Sequence, residues 1–402
     1  MIIQDIDWDL IDGRLKELDR ETVSSKASKR KNSLYDVFVQ FVQQSGQSSL
    51  LNCTPNDVRR FLVWKDKFGK TTVHSIKCEF LGQRENLTCG CPMRLASATV
   101  EHIILQLVTI FEEHGLGRTW DIFSKSGNPA TAPLVKEYLK LIQEEQAKAH
   151  ILPKQAKPIF LNKVKAISAF IQRELLFKGL PIKQQYVLMR DQAWFKLQFF
   201  AGDRASDLSH VVSQEVKVLN DSSGLVFQHT FGKTLRGDKA KHNTFVVKKC
   251  DDLEVCPVRA LHNYVEFCRS HGVNLSTGYL FRIVNESGKV LDQAVNYSVM
   301  YERLQYYLAT LGLYEGETPH SFRSGCAVTI ALSDAASNVD QAMEHVGWFG
   351  KSSAEYYSRM HSLVDAGVVA EKLAKSVGEA ESYEKEFKDK ADYCDLRNFL
   401  KK

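Results

Sequence analysis

One stretch limits how this chain can fold more than any other. Val73 to Met93 reads VHSIKCEFLGQRENLTCGCPM, with no helical period and few apolar residues. A segment of that kind has no buried face to order it and needs a clip. It carries His74, Cys78, Cys89 and Cys91, four soft ligands within 18 residues, two on each side of a loop. Such a set suits a tetrahedral zinc ion, and binding the ion would order the loop. Three free cysteines beside an incidental histidine are the alternative, because the spacing is not the common pair of C-x-x-C knuckles.

The insertion interrupts a helical pattern. Residues 22–33, TVSSKASKRKNS, are polar and basic and read as a linker after a short leading helix. Within it, Lys29-Arg30-Lys31 is a candidate nuclear-import patch or simply a solvated run. Ser33 with Asp36 forms a capping box before the apolar stripe Leu34, Val37, Phe38 and Phe41. Thr54, Pro55 and Asp57 open a second helix that turns Val58, Phe61 and Leu62 inward. Amphipathic helices follow around Ala96 to His114 and Ala132 to Ala149, giving a small helical bundle.

Beyond a lysine-rich linker at Lys154 to Lys163, the pattern becomes mixed. Helical periods span Val164 to Leu176 and Lys183 to Gly202. EVKVL and GLVFQHTFGKT then flank the turn Asn220 to Gly224, a hairpin signal, and Thr244 to Lys248 reads as a third strand. In TPHSFRSG, His320 and Arg323 fall three residues apart on one helical face. A histidine, an arginine, an indole and a phenol within Thr318 to Met360 could grip and attack a phosphodiester. Each has a bland reading: Trp348 as core, Tyr357 as packing, His320 as a helix cap, and Arg204 with Asp207 as a surface pair of little energy.

Two resemblances sharpen this picture. FLVWKDKFGKTTVHSIKCEF, CGCPMRLASATVEHIILQLVTIFEEHG and NPATAPLVKEYLKLIQEEQAKAHIL together resemble the ALOG domain. That resemblance implies a DNA-binding helical core with a zinc-ribbon insert, its structural Zn²⁺ held by His74, Cys78, Cys89 and Cys91. The family's C-P-C is Cys89-Gly90-Cys91 here, which keeps both thiolates and changes only the turn. The domain is related to the core-binding domains of recombinases from Crypton and DIRS-type mobile elements.

The ordered set Arg204 with Asp207, Lys233, His320-x-x-Arg323, Gly347-Trp348 and Tyr357 resembles the catalytic domain of the tyrosine recombinases. In that family the nucleophilic tyrosine stands nine residues after the histidine or tryptophan, which selects Tyr357 over Tyr356. The resemblance implies catalytic roles for Arg204, Lys233, His320, Arg323, Trp348 and Tyr357, with Asp207 orienting Arg204 or His320. No cofactor is implied for the chemistry. Double-stranded DNA is the implied partner, with self-association as a dimer on one site and a tetramer in the synapse.

The resulting expectation is a multidomain α plus α/β chain. It has an N-terminal helix and basic linker (1–32), an ALOG-like core-binding domain (33–153), a mixed α/β recombinase domain (154–370) and a helical tail (371–402). The tail's apolar stripe, from Tyr383 to Leu400, packs on its own domain or on a neighbouring protomer. The implied activity is site-specific recombination or integration of a mobile element through a 3′-phosphotyrosyl intermediate. A domesticated DNA-binding regulator with an inactive second half is the alternative. A net charge of +5 permits a nucleic-acid partner without demanding one. No apolar run nears the roughly 20 residues of a membrane span, and the acidic start MIIQDIDWDLID is wrong for a signal peptide. Nine unevenly spread cysteines fit a reducing compartment, and the nucleus is the expected location.

Overall fold

The computed structural model describes residues 9, 11–17, 26–46, 49–82, 89–151, 156–230, 243–333, 339–348 and 350–358, without the side chains of residues 26, 27, 339, 357 and 358. Within these the chain is mostly helical with small antiparallel sheets, and it divides into two compact units, Met1–Lys154 and Gln155–Lys402. No helix among the described residues is long and apolar enough to cross a membrane. The expected tail, 371–402, and Lys233 lie outside the described residues.

The first unit is built on helices α1 (Lys26–Gln44), α2 (Pro55–Asp66), α3 (Ser97–Phe111) and α4 (Pro133–Lys148). Helix α2 starts as its sequence demands: Thr54 and Asp57 close a reciprocal capping box and Pro55 takes the first turn. Its Val58, Phe61 and Leu62 are fully buried against Phe38, Leu107 and Phe111. The rings meet edge to face, Phe38 with Phe61 at 4.8 Å and Phe38 with Phe111 at 5.7 Å.

One expectation fails in this unit. Over 26–33 the basic segment is not a linker, because α1 already starts at Lys26 and Ser33 lies inside it rather than capping it. Lysine, arginine and alanine are strong helix formers, so a run of them extends a helix as readily as it solvates a loop. Tertiary contacts fix the extension: Lys31 pairs with Glu113, and Tyr35 stacks on His114 at 5.2 Å.

The Cys/His segment is rooted by a two-stranded ladder, β1 (Thr71–Thr72) with β2 (Met93–Arg94). Two buried polar side chains clamp its return. The Leu95 N–H donates to Asp66 Oδ1 (3.1 Å), while Gln146 accepts from the Ser97 N–H and donates to the Leu95 carbonyl, both at 2.8 Å. A second short hairpin, β3 (Trp120–Asp121) with β4 (Ser126–Gly127), precedes α4.

The second unit wraps around α6 (Ile182–Ala201), which carries apolar residues on all sides and is accordingly buried. Around it lie α5 (Leu161–Leu175), α8 (Pro257–Ser270), α9 (Tyr297–Thr310), α10 (His320–Leu332), and the antiparallel sheet β5 (Val216–Val218), β6 (Gly224–His229), β7 (Asn243–Lys248). The short α7 (Ala205–Ser209) follows α6, a hairpin β8 (Arg282–Val284) with β9 (Val290–Ala294) precedes α9, and α11 (Val339–Val346) and α12 (Lys351–Ser358) close the described chain. The charges that α6 buries are paired where they meet α9. Asp191 accepts from Arg190 and Arg303, each at 2.7 Å, and from the Tyr307 hydroxyl at 2.9 Å.

Lys196 is different: it is 3% exposed, and burial pushes its ammonium down to about 8. Below pH 8 both the folded and unfolded chains carry this charge, and the folded state bears the burial penalty. Between pH 8 and 10.5 the folded state sheds the proton before the unfolded chain does, so stability rises with pH through that window. The unfolding free energy of the wild type, from urea denaturation, should therefore climb relative to Lys196→Met between pH 8 and 10, by about 2 kcal/mol at most. Parallel curves would refute this.

The residues expected to form a loose inter-domain linker are docked over 156–160. The Ile159 N–H donates to the Ser321 carbonyl (3.0 Å), and Lys163 Nζ donates to the Leu313 carbonyl (2.8 Å) and pairs with the fully buried Glu317. The approach is so close that a Cβ on Gly325 would sit 1.7 Å from the Ile159 carbonyl oxygen. Gly325→Ala should therefore destabilise by about 1–3 kcal/mol through the clash, outweighing the gain of about 1 kcal/mol in helix propensity. Chemical denaturation measures it, and a stabilised variant would show that the segment yields freely.

Candidate functional site

Two groups of chemistry-bearing side chains stand out, one in each unit. In the first, His74, Cys78, Cys89 and Cys91 bring their ligand atoms within 4.8 Å of one another. His74 Nδ1 lies 3.4 Å from Cys78 Sγ and 3.5 Å from Cys89 Sγ. Those separations match the edge, about 3.5 Å, of a tetrahedron with ordinary metal–sulfur and metal–nitrogen bonds. The Ser75 N–H and the His74 ring draw the Cys91 thiol down to about 7, which favours the ligating thiolate. The histidine is buried and the cysteines half-buried, so the donors face one another at the end of the β1–β2 ladder.

In the second unit the organising group is Arg323, on the first turn of α10 and 1% exposed. Its Nη1 donates to the Gly202 carbonyl (2.8 Å) and to the Val346 carbonyl (2.9 Å). One guanidinium thereby ties the loop after α6 to the end of α11. Gly202 is two residues before Arg204, and Val346 two before Trp348. The same guanidinium lies over the Trp348 ring, 5.2 Å from its centroid. Arg204, Arg323 and the Gly347-Trp348 turn are therefore gathered from three separate places in the sequence.

His320 is the first residue of α10, one turn before Arg323, half-buried with its ring 6.1 Å from that of Tyr297. Asp207 pairs with Arg204, Nη1 to Oδ2 at 3.4 Å. Trp348 is 5% exposed and packs in a small apolar cluster with Cys326, Ala327, Val346 and Ala354. The reading of Trp348 as a core residue accounts for this packing, and the Arg323 guanidinium also approaches its ring.

Gly347 adopts φ +70°, and a Cβ there would meet the Asn243 amide nitrogen at 2.4 Å. Asn243 begins β7 and pairs in register with His229, the last residue of β6. These two strand ends flank residues 231–242 in the sequence, which hold Lys233 and lie outside the described residues, and Asn243 itself stands beside Gly347. Tyr357 is in α12, and its side chain lies outside the described residues. Three residues earlier, Ala354 is buried against Trp348 and Cys326, while Tyr356 is 41% exposed.

Sequence reasoning missed one pair beside this cluster. Asp203, 3% exposed, accepts from the Arg204 N–H (2.8 Å) and lies 3.1 Å from Nδ1 of the equally buried His229. Burial pushes the Asp203 carboxyl up, while His229 pulls it back down. The pair fastens the Arg204 loop to the end of β6. An aspartate directly before the arginine in AGDRASD was the available signal.

Comparison with known proteins bears on the two units differently. Residues 16–144 match the ALOG domain. Over 135 residues, 33% of this chain, it is 33% identical to Protein LIGHT-DEPENDENT SHORT HYPOCOTYLS 5 of Arabidopsis thaliana, spanning 71% of that protein. The corresponding figures for Protein LIGHT-DEPENDENT SHORT HYPOCOTYLS 6 of the same plant are 32% and 65%, and for Protein G1-like9 of Oryza sativa subsp. japonica 32% and 45%. Among solved structures, a lambda integrase dimer bound to a COC′ core site is similar over 87% of this chain and 93% of its own, at 13% identity and TM-score 0.49. The XerH recombinase in a post-cleavage complex with palindromic difH covers 82% and 74%, at 14% and 0.49. The Tn1549 transposon integrase with circular intermediate DNA covers 87% and 97%, at 13% and 0.49.

Proposed function

Because the chain belongs to the ALOG-domain family, we propose that its first unit grips duplex DNA and that its second unit cuts and rejoins it as a tyrosine recombinase. The observation that carries the reading is Arg323 Nη1, which binds the carbonyls of Gly202 and Val346 and so draws Arg204 and Trp348 to one point. A surface pair or a core tryptophan needs no such device.

The chemistry accounts for the residue types. In the pentacovalent transition state the non-bridging oxygens carry extra charge and need fixed donors. Arg204, steadied by Asp207 and by the Asp203–His229 anchor, would give a bidentate contact. Arg323 spends Nη1 on the backbone, so its phosphate contacts would come from Nε and Nη2. His320 adds a donor one helical turn away. The Tyr357 oxygen would attack phosphorus, forming the P–O(tyrosyl) bond as the bond to the 5′-oxygen breaks. The tyrosyl proton leaves to solvent or a neighbouring base, and Lys233 would protonate the departing 5′-oxygen. The phosphodiester energy is kept in the covalent link, so rejoining needs no nucleotide cofactor.

His74, Cys78, Cys89 and Cys91 would hold a zinc ion with four protein ligands and no open position, a structural role. The wider reading is integration of a Crypton-like or DIRS-like element in the nucleus, with a dimer on each site and a tetramer at synapsis. Phosphate contacts would set register and make binding fall with salt.

The second reading is a DNA-binding regulator that never cleaves. It draws on the likeness of the first unit to the plant relatives, 33% and 32% identical over 135 residues. A nicked suicide duplex separates the two: a covalent protein–DNA product supports the recombinase, and salt-dependent binding with no adduct under any condition supports the regulator.

A further inference from the structure

Helix α8 has two working faces. Ala260, Tyr264 and Cys268 pack into the core of the second unit. Val258, His262, Val265 and Arg269 recur at steps of four, three and four, so they lie along another side of the helix. All four line a cleft of about 1020 Å³.

Across this cleft stands one face of the small sheet. Val216 and Val218 on β5 pair in register with Phe227 and Leu225 on β6, so these side chains share a face. Val216, Val218 and Leu225 line the cleft with Leu253, and the buried Leu225 and Leu280 form its floor. None of the residues gathered around Arg323 lines it. The cleft is separate from the site described above.

Its charge is one-sided. Lys249, Arg259 and Arg269 reach the cleft together with His262, and among the described residues no carboxylate lines it. Two neighbouring acids are engaged elsewhere: Asp252 bonds Lys165 at 2.8 Å, and Asp221 lies 4.0 Å from Lys248. Glu266 pairs with Arg269. Lys249 and Arg259, both exposed, are the cations left for a partner.

We propose that the cleft is a docking groove for an acidic amphipathic helix of a separate protein, its apolar stripe laid along α8 and its carboxylates set against Lys249 and Arg259. Length, openness and charge select that occupant. From Val258 to Arg269 the wall runs about 16 Å, or three helical turns, which suits a set of anchors at i, i+3 or i+4, and i+7. Val218 is 64% exposed and Leu253 56%, whereas a small-molecule pocket encloses about 70–90% of its ligand's surface. A long groove with open apolar walls is an interaction surface. Cations at its rim attract a partner with carboxylates beside the apolar stripe and repel a basic one.

The test pans a random peptide library displayed on phage against the full chain, with the Val218→Glu/Leu253→Glu double variant as counter-target. Both substitutions replace exposed side chains, so the variant should keep the wild-type urea midpoint. Peptides recovered on the wild type should combine Asp or Glu with apolar residues at helical spacing. The strongest of them, synthesised and labelled with fluorescein, should bind less tightly as salt rises. Its Kd by fluorescence anisotropy should rise about tenfold or more with Arg259→Glu, which sets like charge against it. Recovered peptides that are basic, or that bind the double variant equally well, would overturn the proposal, as would a Kd indifferent to Arg259→Glu. Displacement by dodecanoate would make the cleft a small-amphiphile site instead. Self-association of the wild type that disappears in the double variant would make it a contact between copies, and either result also overturns the proposal.

Discussion

Tyr357→Phe should leave DNA binding unchanged and lower covalent adduct formation on a suicide substrate by about 10³-fold or more, because removing a nucleophile eliminates the step itself rather than weakening a contact. Tyr356→Phe is the matched control, and its adduct yield should stay within about twofold of the wild type. The two residues are neighbours on α12, yet Tyr356 is exposed, whereas the residue one turn before Tyr357, Ala354, packs against Trp348. A denaturing gel with labelled DNA reads both variants. Adduct that persists in Tyr357→Phe and vanishes in Tyr356→Phe would reassign the nucleophile, and undiminished adduct in both would show that neither residue is the required nucleophile.

The second large effect is expected at the Cys/His cluster. The purified chain should carry about one zinc per molecule, and Cys89→Ser should reduce this below about half an equivalent. Structural zinc sites contribute about 10–16 kcal/mol in isolated finger peptides. Here the neighbouring helices keep their own core of Phe38, Phe61, Leu107 and Phe111, so the loss should be local. Chelation should expose 73–93 to proteolysis and speed amide exchange there, while α1–α4 keep their helical signal. Metal content unchanged by the substitution would refute the site, and global unfolding on chelation would show that the bundle depends on the metal.

What was legible in the sequence followed from short-range rules. Thr54, Pro55 and Asp57 announce α2 because a capping box needs only neighbouring residues, and the 220–224 turn announces its hairpin for the same reason. The four metal-ligand candidates were legible because the donor set is chemically uncommon. Less was legible where the outcome depends on distant partners. KASKRK reads equally as linker or helix until Glu113 and His114 supply contacts from another helix. His229 looks like an ordinary strand residue until Asp203 is placed beside it. Trp348 was weighed as either core or ligand, and its ring packs in an apolar cluster within reach of the Arg323 guanidinium, a contact the sequence could not announce. The burial of Lys196 was hidden altogether, since a lysine in a helical period is ordinarily drawn on the wet face.

The backbone link from Ile159 to Ser321 has an evolutionary consequence. Segments that join compact units are ordinarily where insertions and deletions accumulate, because their length matters little. Here Ile159 is fixed to the residue after His320, Lys163 is fixed to Glu317, and Gly325 leaves no space beneath the Ile159 carbonyl. The interval from 159 to 163 is thus measured against the interval from 325 back to 317. Gaining or losing one residue there would break one fastening or shift the helix that presents His320 and Arg323. Length variation between the two units should therefore be confined to positions before residue 156, and 156–163 should drift in sequence while keeping its count.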